Sequence, residues 1–445
     1  MTLRIPSASA VIHTISIFLL SLVPALAFAQ SVDQLAVQEP PKPDKSFFTP
    51  QQRLTAMHAA ALFAPRVIAG TDVLKGPDQR KKEFKLHFND KVICDFAVPG
   101  NQMGGNTPKF GCKITSVVSA NGKVQTLTPD MDDSDPIKVK YGGGDNEVFA
   151  EIPSTRLFWV LGYYVDSWFP VSVECHNCPE NPESGSGATA TRTFEIATIV
   201  RKFPWHKMTE AGNDAEGWSW KELDTASGAP TYQRDGLKLL AAFVQHGDNK
   251  APQQRVACHK VNEDATTKPT TTTCDKSVML VQDLGATLGS AGFFTSNDGA
   301  KMNVDNWSGK KLWNSAGSDG APHECRASLT KSLAAHDGLS DPAISEEGRR
   351  FDAGLMCQLS DDQIADLFKA SRAIEMPKYH NKDGSLKTGV NEDSVIKQWV
   401  AAFKAKREDL AKARCEWKEK PVDLAVIDNP AKLPTVPNFC SAKPF

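Results

Sequence analysis

The chain has 445 residues, 40% of them apolar, with a formal net charge of −2 and ten cysteines. This allows one large core or two modest ones, and a near-neutral chain without a long basic run excludes an electrostatic footprint for nucleic acid.

The N-terminus reads as an export signal. Arg4 supplies a short positive region, IHTISIFLLSLVPALAFA an apolar core, and Ala27-Phe28-Ala29 a small-residue cleavage site, so residues 1–29 are expected to be removed before Gln30. No later segment approaches eighteen apolar residues, so no membrane span is expected after cleavage. An even cysteine count fits disulfides in an exported, periplasmic or extracellular protein. Sequence leaves the connectivity open. Pairing neighbours would give Cys94–Cys112, Cys175–Cys178, Cys258–Cys274, Cys325–Cys357 and Cys415–Cys440. No second C-x-x-C completes a zinc site with Cys175 and Cys178, which favours a tight disulfide there.

Residues 30–82 read as a linker and a short helix. QEPPKPDK has little to bury. Thr49-Pro50-Gln51-Gln52 combines a cap, a proline suited to the first helical position and a capping-box glutamine, and predicts a helix to about Phe63. From Glu83 the period changes: FKLHF, KVICDFAV, GCKITSV and KVQTLT predict short strands. IKVKY (Ile137–Tyr141) predicts another, with Lys138 and Lys140 on one face. EIPSTRLFWVLGY predicts a helix stopping at Gly162. Pro153 is tolerated in a first turn, which places Glu151 at the helix start. ATRTFEIATIVRKF is again strand-like. Residues 83–205 are thus expected to form a β-rich small lobe.

Residues 206–425 are expected to form a helical large lobe, and 426–445 a tail. GLKLLAAFV predicts a helix; VAC and SVMLVQ predict strands. Ser360 opens a capping box, and EDSVIKQWVAAFKAKREDLAKAR predicts a long amphipathic helix with a basic end. A β-rich half followed by a helical half predicts an α+β fold with two lobes.

Four polar features recur in an informative order: Lys138 and Lys140 on a strand, Glu151 on a helix, Asp248 in FVQHGDNKAPQQR, and Asp283 in VQDLGATLG. Singly, they read as solvated lysines, a glutamate complementing a helix dipole, and turn residues. Together they supply what phosphoryl transfer needs: a cation for phosphates, an acid to hold it, a carboxylate for the acceptor proton and another for a divalent metal.

Those segments carry a resemblance. AEIPSTRLFWVLGYYVDSWFPV (Ala150–Val171) resembles the Glu-bearing helix of the secreted Golgi casein kinases, with its A-E-I start and its Leu-Gly end before Pro-Val. HipA-type kinases carry a similar N-E helix, which points instead to Glu147. HGDNKAPQQ resembles the D-R-H-x-x-N/E loop shared by phosphatidylinositol 3-kinase-like, HipA-type and Golgi casein kinases, and DLGATLG resembles D-F-G or D-N-G. The whole chain also resembles exported bacterial proteins with H-W-D-N-K-x-x-N-Q and D-L/V-G-A-T-F-G motifs. The resemblance implies a protein-kinase-like two-lobed fold and a phosphotransferase using ATP with Mg²⁺ or Mn²⁺ on an unidentified acceptor. It makes Asp248 the catalytic acid–base residue, Gln253 and Asp283 metal ligands, Lys140 or Lys138 the phosphate cation, Glu151 its anchor, and His246 a residue holding the loop.

The departures are specific. Gln253 stands where the pattern has Asn or a carboxylate, and Asn249-Lys250 replace Arg-His. No strong glycine-rich loop precedes Lys140; YGGGDN follows it. They keep three rival readings open: an inactive kinase-like binding module, a metal-dependent hydrolase using the same carboxylates or zinc on His246, Asp248 and His259, and a structural envelope protein.

Overall fold

A computed structural model describes residues 45–80, 82–98, 105–128, 136–210, 217–264, 271–294, 299–317, 322–419, 427 and 437–441, all within one unit spanning Pro43–Phe445. The export signal expected for residues 1–29 and most of the Pro-rich linker expected for 30–48 lie outside these residues; the last four residues of that linker form a strand instead. A short strand, β1 (Lys45–Phe48), leads into helix α1 (Pro50–Ala59). The helix start is as its sequence dictates: the Gln52 N–H donates to the Thr49 hydroxyl, and the Thr49 N–H to the Gln52 side chain. It ends at Ala59, short of Phe63, because Ala61 and Phe63 make backbone bridges to Val278 and Tyr163.

The alternating region closes on itself. Strands β2 (Asp90–Ala97), β3 (Lys109–Val118), β5 (Ile137–Tyr141), β6 (Ser167–Cys178) and β7 (Ala190–Arg201) each have two ring partners, in the order β2-β6-β7-β5-β3 and back to β2. Only the β2–β6 pairing is parallel. A short β4 (Val124–Thr126) pairs with β3 outside the ring. Closure leaves no open edge among the five. Val92, Cys94, Phe110, Cys112, Val139, Phe169, Val171, Val173 and Ile199 fill the interior, following the period-two alternation of their strands.

FKLHF corrects one expectation. Phe84 and Leu86 are fully buried in this core, yet the segment is not a strand. Its backbone bonds to a side chain: Gln79 donates to the Leu86 carbonyl at 2.7 Å and accepts from the Leu86 N–H at 2.9 Å. The apolar alternation survives while the ladder is replaced.

Helix α2 (Glu147–Val160) joins β5 to β6 and is buried on almost every face. It begins earlier than expected, so Pro153 lies inside it and Glu151 lies in its body. The proline forfeits one helical hydrogen bond. Surrounding contacts hold the helix nonetheless; buried Arg156 donates to the carbonyls of Val73 and Leu74. Gly162 ends the turn with φ of 99°, and a Cβ there would lie 2.5 Å from the Ala64 carbonyl oxygen, so glycine is required on both counts.

A second sheet has the order β1-β8-β9-β12, built from β1, β8 (His206–Glu210), β9 (Gln254–Cys258) and β12 (Ser277–Val281). Between β8 and β9 run α3 (Trp220–Thr225) and α4 (Thr231–Phe243). β9 and β12 are antiparallel, with Gln254 opposite Val281 and Cys258 opposite Ser277. Between their far ends lies the hairpin β10 (Val261–Asp264) and β11 (Thr271–Cys274). Helices α5 (Val304–Gly309), α6 (Glu346–Met356), α7 (Asp361–Ala370) and α8 (Glu392–Lys412) follow. Their core includes Trp307, Phe368, Trp399 and Phe403, with Phe368 stacked on Trp399 at 4.7 Å. The fold is mixed α and β, and no helix among the described residues is long and apolar enough to cross a membrane.

Four disulfides are present: Cys94–Cys112, Cys258–Cys274, Cys325–Cys415 and Cys357–Cys440. The two within neighbouring strands follow neighbour pairing. The last two correct it, because the start of α6 packs beside the end of α8 and brings Cys415 to Cys325. Cys175 and Cys178 are free and buried, not bonded as expected.

Candidate functional site

β5 turns Val139 into the ring, and so places Lys138 and Lys140 on its outer face, towards α2. The side chain of Lys140 is 2% exposed. Its ammonium donates to Glu147 and to Glu151, lies 3.6 Å from Asp283 Oδ1, and sits 4.8 Å from the Trp168 ring centroid. Lys138 Nζ approaches the same ring at 5.1 Å. Both glutamates of α2 therefore reach the lysine, not one or the other: they are four residues apart, on one helix face. Glu151 also accepts from the Leu284 N–H at 3.2 Å.

Gly285 shows why the D-L-G turn needs its glycine. A Cβ there would lie 2.1 Å from Glu147 Cγ. Only a bare backbone lets Asp283 approach with Glu147 in place. Ser154 on the same helix bonds the Thr287 hydroxyl at 2.6 Å, tying α2 to the loop after Asp283.

The electrostatics follow from one ammonium among three acids. Burial disfavours the Lys140 charge, but Asp283, Glu151 and Glu147 outweigh it and hold the ammonium well above its usual range. Burial likewise works against Asp283, yet Lys140 and Lys138 keep it below the ordinary carboxylate range. Glu151 is pushed up to about 8 by burial. Lys138 is pushed down to about 7 by burial and by the neighbouring Lys140.

Asp248 arrives from the other side. Two residues after α4, Gln245 adopts the left-handed region with φ of 57°, and the chain turns sharply. Asp248 precedes β9, and Asp283 follows β12. Because the two strands are antiparallel, both aspartates emerge at one end of the pair. Backbone bonds fasten the two loops: Gln282 N–H to Gln253 O at 3.0 Å, Gly247 N–H to Ala286 O at 3.2 Å and Leu288 N–H to Val244 O at 2.7 Å. The long gap in sequence is thus a hairpin excursion, with Thr271–Thr273 and the Cys258–Cys274 bond at the far end.

Lys250 Nζ lies 3.0 Å from one Asp248 oxygen, and the Gln253 amide donates to the other at 3.2 Å. The Gln253 side chain therefore orients Asp248. Asn249 fixes the loop from inside, donating to the His246 carbonyl and accepting from the Leu339 N–H at 2.6 Å. His246 is fully buried, with neither ring nitrogen hydrogen-bonded among the described residues. Burial pushes it down to about 4, against the pull of Asp248 and Asp283, so it is a neutral, packed ring. His259 lies at the far end of β9 and bonds Asp275 at 3.0 Å; the zinc trio of His246, Asp248 and His259 is not assembled.

Sequence reading missed three participants. Lys301 Nζ bonds Asp145 at 2.9 and 3.0 Å and Glu147 at 3.2 Å. Lys109 is the register partner of Lys140 on β3 and is buried beside it. Asp145 and Lys109 were visible only as members of YGGGDN and of a strand end; their meaning depends on sheet register.

No protein-family model matches the chain, and no curated protein does. Among solved structures, a proinflammatory kinase of Helicobacter pylori, CtkA, aligns with 72% of this chain and 96% of its own, at 10% identity and a TM-score of 0.33. Similarity that slight leaves fold family and activity to be argued from the residues.

Proposed function

We propose that the chain is an exported nucleotide- and divalent-metal-dependent phosphotransferase, an atypical kinase with an unidentified acceptor. One observation carries this reading: Lys140 is held by Glu151 and Glu147 with Asp283 at 3.6 Å, while Asp248 emerges at the same end of the β9–β12 pair as Asp283. In this reading the ring of strands is the core of a small lobe (83–205) and residues 206–425 a large lobe, in a kinase-like arrangement. The four disulfides favour an oxidising, exported setting.

Carboxylate oxygens of Glu147, Glu151 and Asp283 lie within 4.8 Å of one another. Such a hard-oxygen set fits Mg²⁺ or Mn²⁺. Asp283 and Glu147 would hold the metal, with the Gln253 carbonyl oxygen as a further ligand. When bound, the metal would neutralise phosphate charge. Lys140 pairs with the phosphates of ATP, and Lys138 adds a second cation on the same strand face. Glu151 keeps Lys140 in place. Asp248, oriented by Lys250 and Gln253, accepts the proton of the acceptor hydroxyl as the hydroxyl oxygen bonds to the terminal phosphorus of ATP and the bond from that phosphorus to the bridging oxygen breaks, releasing ADP. Positioning and charge supply most of such a reaction.

The test is transfer of the terminal phosphate from labelled ATP, with Mg²⁺ or Mn²⁺, to the protein itself, to exported proteins or to water. Metal-dependent transfer that is lost in Asp248→Ala supports the reading. A second reading, a kinase-like module that binds without catalysis, is favoured by the neutral amide at Gln253. It predicts nucleotide or partner binding with no transfer.

A further inference from the structure

Cys175 and Cys178 stand outside both the proposed reaction and the four disulfides, as fully buried thiols. In a regular strand, residues three apart face opposite sides. β6 breaks that rule. Against β7, Cys175 pairs with Arg192 but Cys178 with Ala190, so β6 carries an extra residue there, and Asn177 absorbs it with φ of 52°. A bulge of this kind re-aims a side chain. Here it turns both thiols into the ring interior, in one buried cluster. They share that apolar cluster with the Cys94–Cys112 disulfide, and Cys94 is the register partner of Cys175 on β2.

We propose that Cys175 and Cys178 form a redox site, a dithiol that closes reversibly to a disulfide while the other four disulfides stay closed. Closure forms one S–S bond; two protons are released, and two electrons pass to a small external disulfide, which leaves as two thiols. Two features separate this pair from the rest. Its loop is very short, so closure removes little freedom from the unfolded chain, whereas Cys325–Cys415 and Cys357–Cys440 span separations of 90 and 83 residues. The bulge already places both thiols on the same side of the strand, which a regular strand would not do. Burial raises both thiols above their ordinary range, so thiolate is scarce and exchange accelerates as pH rises.

The experiment equilibrates the folded, exported protein in graded mixtures of reduced and oxidised glutathione, then quenches with acid, alkylates in denaturant and maps labelled cysteines by mass spectrometry. The expected result is one transition in which two labels, on Cys175 and Cys178, vanish together as the mixture becomes oxidising, with the other eight cysteines unlabelled throughout. In Cys178→Ser, the remaining buried thiol instead keeps its label across the whole range. Two labels across the whole range would overturn the proposal by showing permanently free thiols. So would a pair that opens only together with the other disulfides, because it would then be an ordinary structural bond.

Discussion

Two buried ionic clusters in this chain look alike in burial and differ in how their charges are shared. In one, Arg349 meets Glu346 with two bonds at 2.6 and 2.7 Å, and also donates to the carbonyls of Leu410 and Ala411. The second Glu346 oxygen also accepts from the Cys415 N–H at 2.9 Å. Every group shown has a matched partner, and the result is a staple between α6 and the end of α8. In the other, four carboxylates, Asp145, Glu147, Glu151 and Asp283, share Lys140 and Lys301, with Lys138 and Lys109 close beside them, so that no single pair can be separated out. A matched buried pair needs nothing more. Crowded charges, with one carboxylate pushed up to about 8 by burial, fit the metal and polyphosphate site proposed above, and perturbed groups of this sort collect at functional sites.

The comparison breaks most visibly at Arg349. Arg349→Met leaves Glu346 buried without its partner and should cost about 3–5 kcal/mol in chemical denaturation, with ligand binding by the folded fraction unchanged. Asp248→Asn should lower the phosphoryl-transfer rate by roughly 10²–10⁴ while nucleotide-induced stabilisation persists. His246 sharpens the contrast through pH. Its folded value of about 4 lies below the ordinary 6.5, so the unfolded chain takes up the proton first. Its contribution is fully present above 6.5 and is lost as pH falls towards 4. The loss should reach at most ~3 kcal/mol, and His246→Phe should flatten that part of the stability profile. Gly285→Ala should cost about 1–3 kcal/mol by overpacking against Glu147 and weaken metal-dependent nucleotide binding. The smallest effect is at Glu147: burial works against its carboxylate, but Lys140 and Lys301 hold it below the ordinary range, so Glu147→Gln should cost about 0.5–1.5 kcal/mol, while nucleotide with metal no longer raises the unfolding midpoint.

Much of the site was legible as local pattern. The IKVKY strand, the helix ending at Gly162 and the paired loops around Asp248 and Asp283 depend on alternation, caps and turn glycines, which act over a few residues. The glutamate remained double in sequence because two families point to different positions; helix geometry brings both to Lys140. What could not be read is what register decides. Lys109 reaches Lys140 only through β3–β5 pairing, and β6 was not foreseen as a strand because its apolar run continues straight from α2. FKLHF misled because burial alternates without a ladder. Cysteine pairing followed sequence proximity only where a disulfide joins neighbouring strands, and failed where helices separated in the chain come together.

The most direct measurement is calorimetric titration of the folded protein with ATP in the presence and absence of Mg²⁺ or Mn²⁺, alongside Lys140→Met and a check that each variant is folded. If the Lys140 cluster is a nucleotide site, the wild type binds only with metal and Lys140→Met does not bind. Folded wild type that takes up no nucleotide, or Lys140→Met that binds as tightly, would contradict the assignment.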